Sequence, residues 1–394
     1  MVKWATLLLL AGTAWPAMAA KSLSVAELEQ LLAADHSKAD GHVAQQLSEV
    51  ELTERVSPVR LAQWEKSFNG SKSREQLTRL ADSAAFLKVP VDDVVRDPAP
   101  DGDTQTKMFD LAVEYVRTTM TRLPNFDAKR ETTHFEDAPS VEKVATDAQD
   151  LPGHPLQTLS FSLGRSEVKP LRITAAYSVT VTYRDGSEVQ DKANKLSTQE
   201  APPAGLTTYG EFGPMLGMVL HDAGRSQVAW SHWEQGESEP VAVFHYSVPA
   251  DQSTFIVEIP NGPKVEQLHP GYHGEIVIEP ATGSILRLSR VADMAPPYET
   301  MGAAMLVEYA PVPIGDRTYT CPVHGVAYSR APVAGAGQAA QNSAVMVQTE
   351  LNDVTFTQYH LLGSQARIVA DEIGPSEGNA PAPHAGASAT EQHR

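Results

Sequence analysis

Cysteine is almost missing from this chain: Cys321 stands alone among 394 residues. An intramolecular disulfide and a cysteine-based structural zinc site are thereby excluded. Basic residues are also scarce. Lys and Arg number 31 against 49 Asp and Glu, for a formal charge of -18. A nucleic-acid partner needs clustered cations to neutralise phosphates, and anionic lipid head groups need a basic face; this charge balance argues against both. Beyond the first stretch, no apolar run reaches the ~20 residues of a spanning helix. P-loop, dinucleotide fingerprint, EF-hand loop and G-x-S-x-G elbow are all missing, and neither cofactor nor metal is expected. No internal repeat is found.

What is there begins with an export signal. Lys3 precedes a short apolar run around Leu7 and Leu10, and Ala17-Met18-Ala19 supplies an A-x-A cleavage site, with Ala20 as an alternative. No cysteine lies near that site to accept a lipid anchor. The expectation is a signal peptide at 1–20 and a periplasmic or extracellular chain, with no integral membrane segment after cleavage.

From 21 to 90 the spacing predicts a small bundle of four helices. Ser24 with Glu27 is a capping box, followed by Val25, Leu28, Leu31 and Leu32 on one face. A second helix is read over Val43, Leu47, Val50 and Leu52. A third starts at Pro58 with Leu61, Trp64 and Phe68, and a fourth carries Leu77, Leu80, Ala84 and Leu87. Residues 91–103 read as a linker, and a longer helix follows at about 104–122. After Pro124 the period changes to two. Ile173, Ala175, Tyr177, Val179, Val181 and Tyr183 alternate with smaller or polar residues and end at an Asp185-Gly186 hairpin turn. Further strands are expected at 227–233, 241–248, 254–259, 275–279, 284–291, 304–309, 318–321, 325–330 and 344–356, with a last one near Arg367. One helix between Gly210 and Gly224 interrupts them. The Ala/Gly-rich stretch 331–341 reads as a loop, and 371–394 as a disordered tail. The fold class expected is therefore α+β: a helical bundle, then, over 104–370, a curved antiparallel half-barrel cradling one or two helices.

The run Gly274-Glu275-Ile276-Val277-Ile278-Glu279-Pro280-Ala281-Thr282-Gly283-Ser284-Ile285-Leu286-Arg287-Leu288 resembles the strand, Pro-x-Thr-Gly turn, strand hairpin of the outer-membrane lipoprotein-sorting superfamily. Val307-Glu308-Tyr309 followed by Tyr319-Thr320-Cys321-Pro322 resembles its next hairpin. The resemblance implies an incomplete antiparallel barrel with an apolar concave face. The segment from Leu47 to Ser57 is similar to uncharacterised secreted proteins of soil bacteria such as acidobacteria. Neither likeness carries a functional residue across.

Candidate chemistry is sparse. His269, His273 and Glu275 lie close in sequence, but Pro270-Gly271 breaks the helical spacing of an H-E-x-x-H site, so solvated loop histidines are the ordinary reading. His221-Asp222 near a helix end complements the helix dipole as readily as it orients a base. Cys321 and His324 flank Pro322, and a buried thiol is commoner than a catalytic pair. Trp230, His232, Trp233 and Phe244 suit a sugar or lipid wall or a sheet core, with alternation placing the two tryptophans on opposite faces.

The reading that follows is an envelope protein that binds a lipid-like or acyl-bearing ligand, without catalysis. Tyr177, Val181, Phe212, Leu216 and Val219 are its expected lining, each buried CH2 contributing about 0.8 kcal/mol. The alternatives are a scaffold with an envelope protein partner, and a secreted hydrolase or metal-dependent enzyme using scattered histidines. Three convergent His or carboxylate groups would favour the last of these.

Overall fold

Polar and apolar residues alternate so regularly after residue 125 that most of the described residues beyond it belong to one sheet. The computed structural model describes residues 21–120, 122–137, 140–143, 171–189, 211–261, 264–333 and 344–362. The elements in order are β1 (Lys21–Leu23), α1 (Val25–Asp35), α2 (Asp40–Ser48), β2 (Val50–Leu52), α3 (Pro58–Ser67), α4 (Ser71–Ser83), β3 (Val94–Val95) and α5 (Gly102–Met120). Then come β4 (Phe126–Glu136), β5 (Ser140–Lys143), β6 (Arg172–Arg184), β7 (Ser187–Val189), α6 (Pro214–Gly224), β8 (Gln227–Gln235), β9 (Pro240–Val248), β10 (Val257–Asn261) and β11 (Lys264–Leu268). The last are β12 (Gly271–Ile278), β13 (Ile285–Asp293), β14 (Gly302–Ile314), β15 (Arg317–Pro332) and β16 (Ala344–Leu361). The protein is thus of mixed helix and sheet.

The main sheet runs β3-β8-β9-β12-β13-β14-β15-β16-β4-β6-β7, with β5 also on β16. Its two end strands do not pair with each other, so the sheet is open. On one face lie α5 and α6. Ala112 and Val116 of α5 and Met215, Leu216 and Val219 of α6 share a core with Phe244, Tyr246, Ile276, Leu288 and Val307. The opposite face receives the N-terminal helices, through Ala85 and Phe86 against Phe135, Leu306, Val326 and Leu351. Those helices hold their own core, in which Leu28, Leu47, Leu77 and Leu80 are fully buried.

Local signals held where a single turn decides them. Ser24 and Glu27 form the reciprocal capping box, Ser57 caps α3 with Pro58 in its first turn, and Asp185 and Gly186 take positive φ between β6 and β7. Four expectations need correction. Val50 and Leu52 belong not to the second helix but to β2, which pairs in parallel with β1; three residues are too few for periodicity to separate helix from strand. The expected linker contains a short 3-10 turn and β3, which pairs with β8. The strands read at 318–321 and 325–330 are one strand, β15, continuing past Pro322. Strand β4, not expected at all, lies between β16 and β6. The strand near Arg367, residues 334–343 of the loop and the tail lie outside the described residues.

The two tryptophans also depart from expectation. The register between β8 and β9 slips between Trp230 and His232. This bulge restores Trp230 and Trp233 to one face, with ring centroids 4.8 Å apart. Trp230 packs edge-on against Phe244, while His232 turns to the other face.

Gly274 marks the tightest approach in the sheet. A Cβ there would stand 2.0 Å from the Ser289 carbonyl oxygen and 2.9 Å from the Tyr246 hydroxyl, which itself donates to that carbonyl at 2.6 Å. Gly274→Ala is therefore expected to destabilise the fold by roughly 1–3 kcal/mol through overpacking. Urea unfolding checks this, with a lower midpoint and an unchanged slope as the expected result.

Candidate functional site

The face of the sheet under α5 and α6 holds the larger hydrophobic core; the other combines smaller apolar clusters with a group of charges. Arg287 of β13 faces Glu308 of β14 in register, and Glu308 faces His324 of β15. One step along, Asp353 of β16 is the partner of Val326. A row of ionisable side chains thus runs across four neighbouring strands, toward the N-terminal helices rather than into the α5–α6 core. Glu234 of β8 joins them on the same side.

The buried centre of the row is Glu234. It accepts from Arg55 at 2.6 Å and from Arg287 at 2.8 and 3.1 Å. Burial alone would raise its pKa, but the charges of Arg287 and Arg55 outweigh that and hold it down to about 2. Arg55 lies in the loop after β2 and also reaches Glu275 at 3.2 Å. The imidazole of His232 stands 3.9 Å from Glu234, and burial lowers its pKa despite the nearby carboxylates.

Beside this network the end of α4 brings Asp82 onto the sheet. His324 Nε2 lies 3.4 Å from Asp82 Oδ1 and 3.1 Å from Asp353 Oδ1, and its Nδ1 lies 3.1 Å from Glu308 Oε2. Burial, then the Asp353 carboxylate, push Asp82 up to about 7. Burial opposes a charge on His324, but hydrogen bonds with Asp353, Asp82 and Glu308 hold its pKa well above the ordinary value. Glu308 is lowered: burial works upward, and the His324 hydrogen bond and charge prevail. One extra residue of β15, Val323, separates the pairs Glu308–His324 and Tyr309–Pro322. That bulge sits immediately beside the cluster, a common place for one.

These groups wall a cavity of about 290 Å³ between α3, α4 and the sheet, which includes Arg55, Glu65, Thr78, Asp82, Arg287, Glu308, His324 and Asp353. A second cavity of about 430 Å³, lined by Arg74, Glu75, Thr133, Phe135 and Ile173 among others, shares Glu65, Thr78 and Asp353 with it. The two adjoin along a seam between the helices and the sheet, in which these charged groups stand beside apolar residues such as Val56, Leu61, Leu306 and Val326.

No protein-family model, curated protein or solved structure matches this chain. Its chemistry has to be read from its own geometry.

The residues expected to line an acyl groove are not brought together. Val181 and Phe212 are buried in a cluster with Phe126, Tyr183 and Phe356. Leu216 and Val219 are buried in the α5–α6 core. Tyr177 is half-buried on β6. None of the five lines either cavity of the seam. The other candidates separate as well. His269 is exposed, His273 bonds Asp293 at 2.6 Å, and Glu275 turns to Arg55. Asp222 is buried and accepts from Tyr272 and Thr254, away from the exposed His221. Cys321 is fully buried in the apolar cluster with its thiol pushed up to about 12 by burial, whereas His324 is on the seam. The buried thiol is the reading the sequence favours, and it is what the structure shows; the grouping of His324 with Asp82, Glu308 and Asp353 is what sequence reasoning missed. The available signal was period-two alternation: Arg287, Glu308 and His324 are charged or titratable positions set between apolar neighbours.

Glu234 generates a pH prediction. Its folded pKa of about 2 lies below the ordinary 4.5. Its stabilisation is complete above pH about 4.5 and is lost as the pH falls through 2. Glu234→Gln should flatten that part of the acid unfolding profile. It should also cost roughly 3–5 kcal/mol near neutrality, because two buried guanidinium groups lose their shared anion. Urea melts of both proteins across that range provide the check.

Proposed function

We propose that this chain is an exported envelope protein that binds a compact cationic ligand in the seam between the N-terminal helices and the outer face of the sheet. The observation that carries the reading is the charge of the seam. Arg55 and Arg287 are bonded to Glu234 and Glu275; Asp82, Glu308 and Asp353 share one cation of their own, His324, with the charges of Arg287 and Arg55 acting on Glu308 as well. A concave, partly buried wall with surplus carboxylate focuses negative potential and draws cations.

Export is supported by Lys3, the apolar run and the A-x-A site. Among the described residues no helix is long and apolar enough to cross a membrane. The open sheet is read as a half-barrel cradling α5 and α6, supported by their common core and by the hairpin at 274–288 that resembles the lipoprotein-sorting superfamily. In this reading the barrel interior is filled by side chains, and the ligand lies on the outside of the barrel, under the helices. The acyl-ligand reading has no comparable observation behind it, since its five residues are divided between two packed clusters and the strand β6.

The test is native mass spectrometry of the protein purified from a bacterial periplasm without detergent or chelator, beside an Ala62→Trp variant. Ala62 is an exposed position of α3 on the rim of the smaller cavity, so tryptophan there obstructs the mouth without entering a core. The expected result is a small polar mass on the wild type, or uptake of added spermidine or divalent salts, reduced in the variant. An acyl-bearing mass that leaves in organic solvent and persists in the variant would overturn the reading. So would a bare chain that takes up neither kind of cation.

A further inference from the structure

We infer that Asp82, His324 and Asp353 form a binding site for one divalent cation of the Zn²⁺ or Mn²⁺ type. The inference rests on the seam reading and names its innermost ligand. Three separate elements deliver the donors, from α4, β15 and β16, and one donor atom of each lies within 4.8 Å of the other two. Donors bonded to one ion at about 2.0–2.2 Å stand roughly 2.9–3.6 Å apart along octahedral or tetrahedral edges. The two separations from His324 Nε2, 3.4 Å to Asp82 and 3.1 Å to Asp353, fall in that interval.

The far side of the imidazole fits the same role. Glu308 lies 3.1 Å from Nδ1. A proton held on Nδ1 and donated to Glu308 leaves the Nε2 lone pair facing the two aspartates. An outer carboxylate of this kind fixes the tautomer and orientation of metal-bound histidines.

Asp82 supplies an independent sign. It is only 2% exposed, and it sits in the last turn of α4, where the helix dipole disfavours negative charge. Its Oδ2 is buried with no hydrogen-bond partner. A carboxylate oxygen desolvated and left bare is costly, and a cation provides the missing partner. The donor set of one imidazole and two carboxylates suits Zn²⁺ or Mn²⁺; Mg²⁺ and Ca²⁺ prefer oxygen alone, and soft ions prefer thiolate. Three protein donors leave positions for water on the cavity side.

The competing account of these atoms is a proton-bridged latch, an imidazolium held between two aspartates with no ion. Calorimetric titration of the chelator-treated full chain with ZnCl2 and MnCl2 separates the two, with loss of the free Mn²⁺ electron paramagnetic resonance signal as a second readout. One ion per chain is expected. Glu308→Gln, which leaves the three donors in place, should weaken binding roughly 10–100-fold. Asp82→Asn and Asp353→Asn should weaken it further, in variants whose circular dichroism matches the wild type. Absence of binding by the wild type, or affinity unchanged in either aspartate variant, would overturn the metal site. Spermidine uptake in a chain that binds neither metal would remove this inference and leave the seam reading standing; uptake of neither would remove both.

Discussion

The bond between Glu234 and its two arginines is the constraint from which the arrangement of helices on sheet follows. Glu234 stands on β8 and Arg287 on β13, three strands away across roughly 14 Å of sheet. Val241, Val243 and Val277 form a small apolar cluster on the strands between. Arg55 closes the arrangement from the helical side, at 2.6 Å. Burial and the like charge of Arg287 both work against Arg55, and Glu234 and Glu275 oppose them. With Glu234 and Glu275 present the group of four is neutral; without Glu234 two guanidinium groups would repel each other in a poorly solvated place.

A buried ion pair is weak evidence for stability, since apolar residues of similar volume often do as well. What it supplies here is direction. The apolar contact of Ala85 and Phe86 with Phe135, Leu306, Val326 and Leu351 is non-directional and tolerates sliding. The fork of Arg55 across Glu234 and Glu275 does not. Fixing the loop after β2 also fixes α4, because Arg79 of α4 donates to the carbonyls of Leu47 and Val50. The end of α4 is then set over β15 and β16, and Asp82 arrives at His324. One anion thus positions a second group of charges that it does not touch.

Much of this architecture was legible in the sequence, for reasons that particular residues make plain. Ser24 with Glu27, Pro58 at a helix start, and Asp185-Gly186 each determine a local conformation through their own atoms, and each reads correctly in isolation. The edges of β8, β9, β13 and α6 fall close to where alternation and turn residues put them. What failed was information not local to the chain. Val50-Glu51-Leu52 is a strand because Lys21-Ser22-Leu23 lies beside it. Trp230 and Trp233 share a face because of a bulge, and period-two counting has no means to anticipate an inserted residue. The seam was invisible for the same reason. Asp82 and Asp353 are separated by 271 positions, and only the docking of α4 on β16 makes them neighbours.

The strongest contrast lies between the two faces of β14 and β15. Met305 and Val307 are buried in the α5–α6 core, whereas Glu308 and His324 stand on the other face, beside Leu306 and Val326 on the seam. Were the outer face only a surface for docking helices, apolar residues at these positions would serve at less cost in desolvation. Asp82 sharpens the point. Its position in the last helical turn, its burial and its bare Oδ2 each oppose the charged form, and burial with the nearby Asp353 carboxylate pushes it up to about 7. A side chain that three local terms disfavour, aimed at an imidazole already held by two other carboxylates, is a departure from consistency between local preference and global fold. Such departures concentrate where a protein binds or reacts. By that criterion the seam, rather than the core under α5 and α6, is the place we propose for ligand binding.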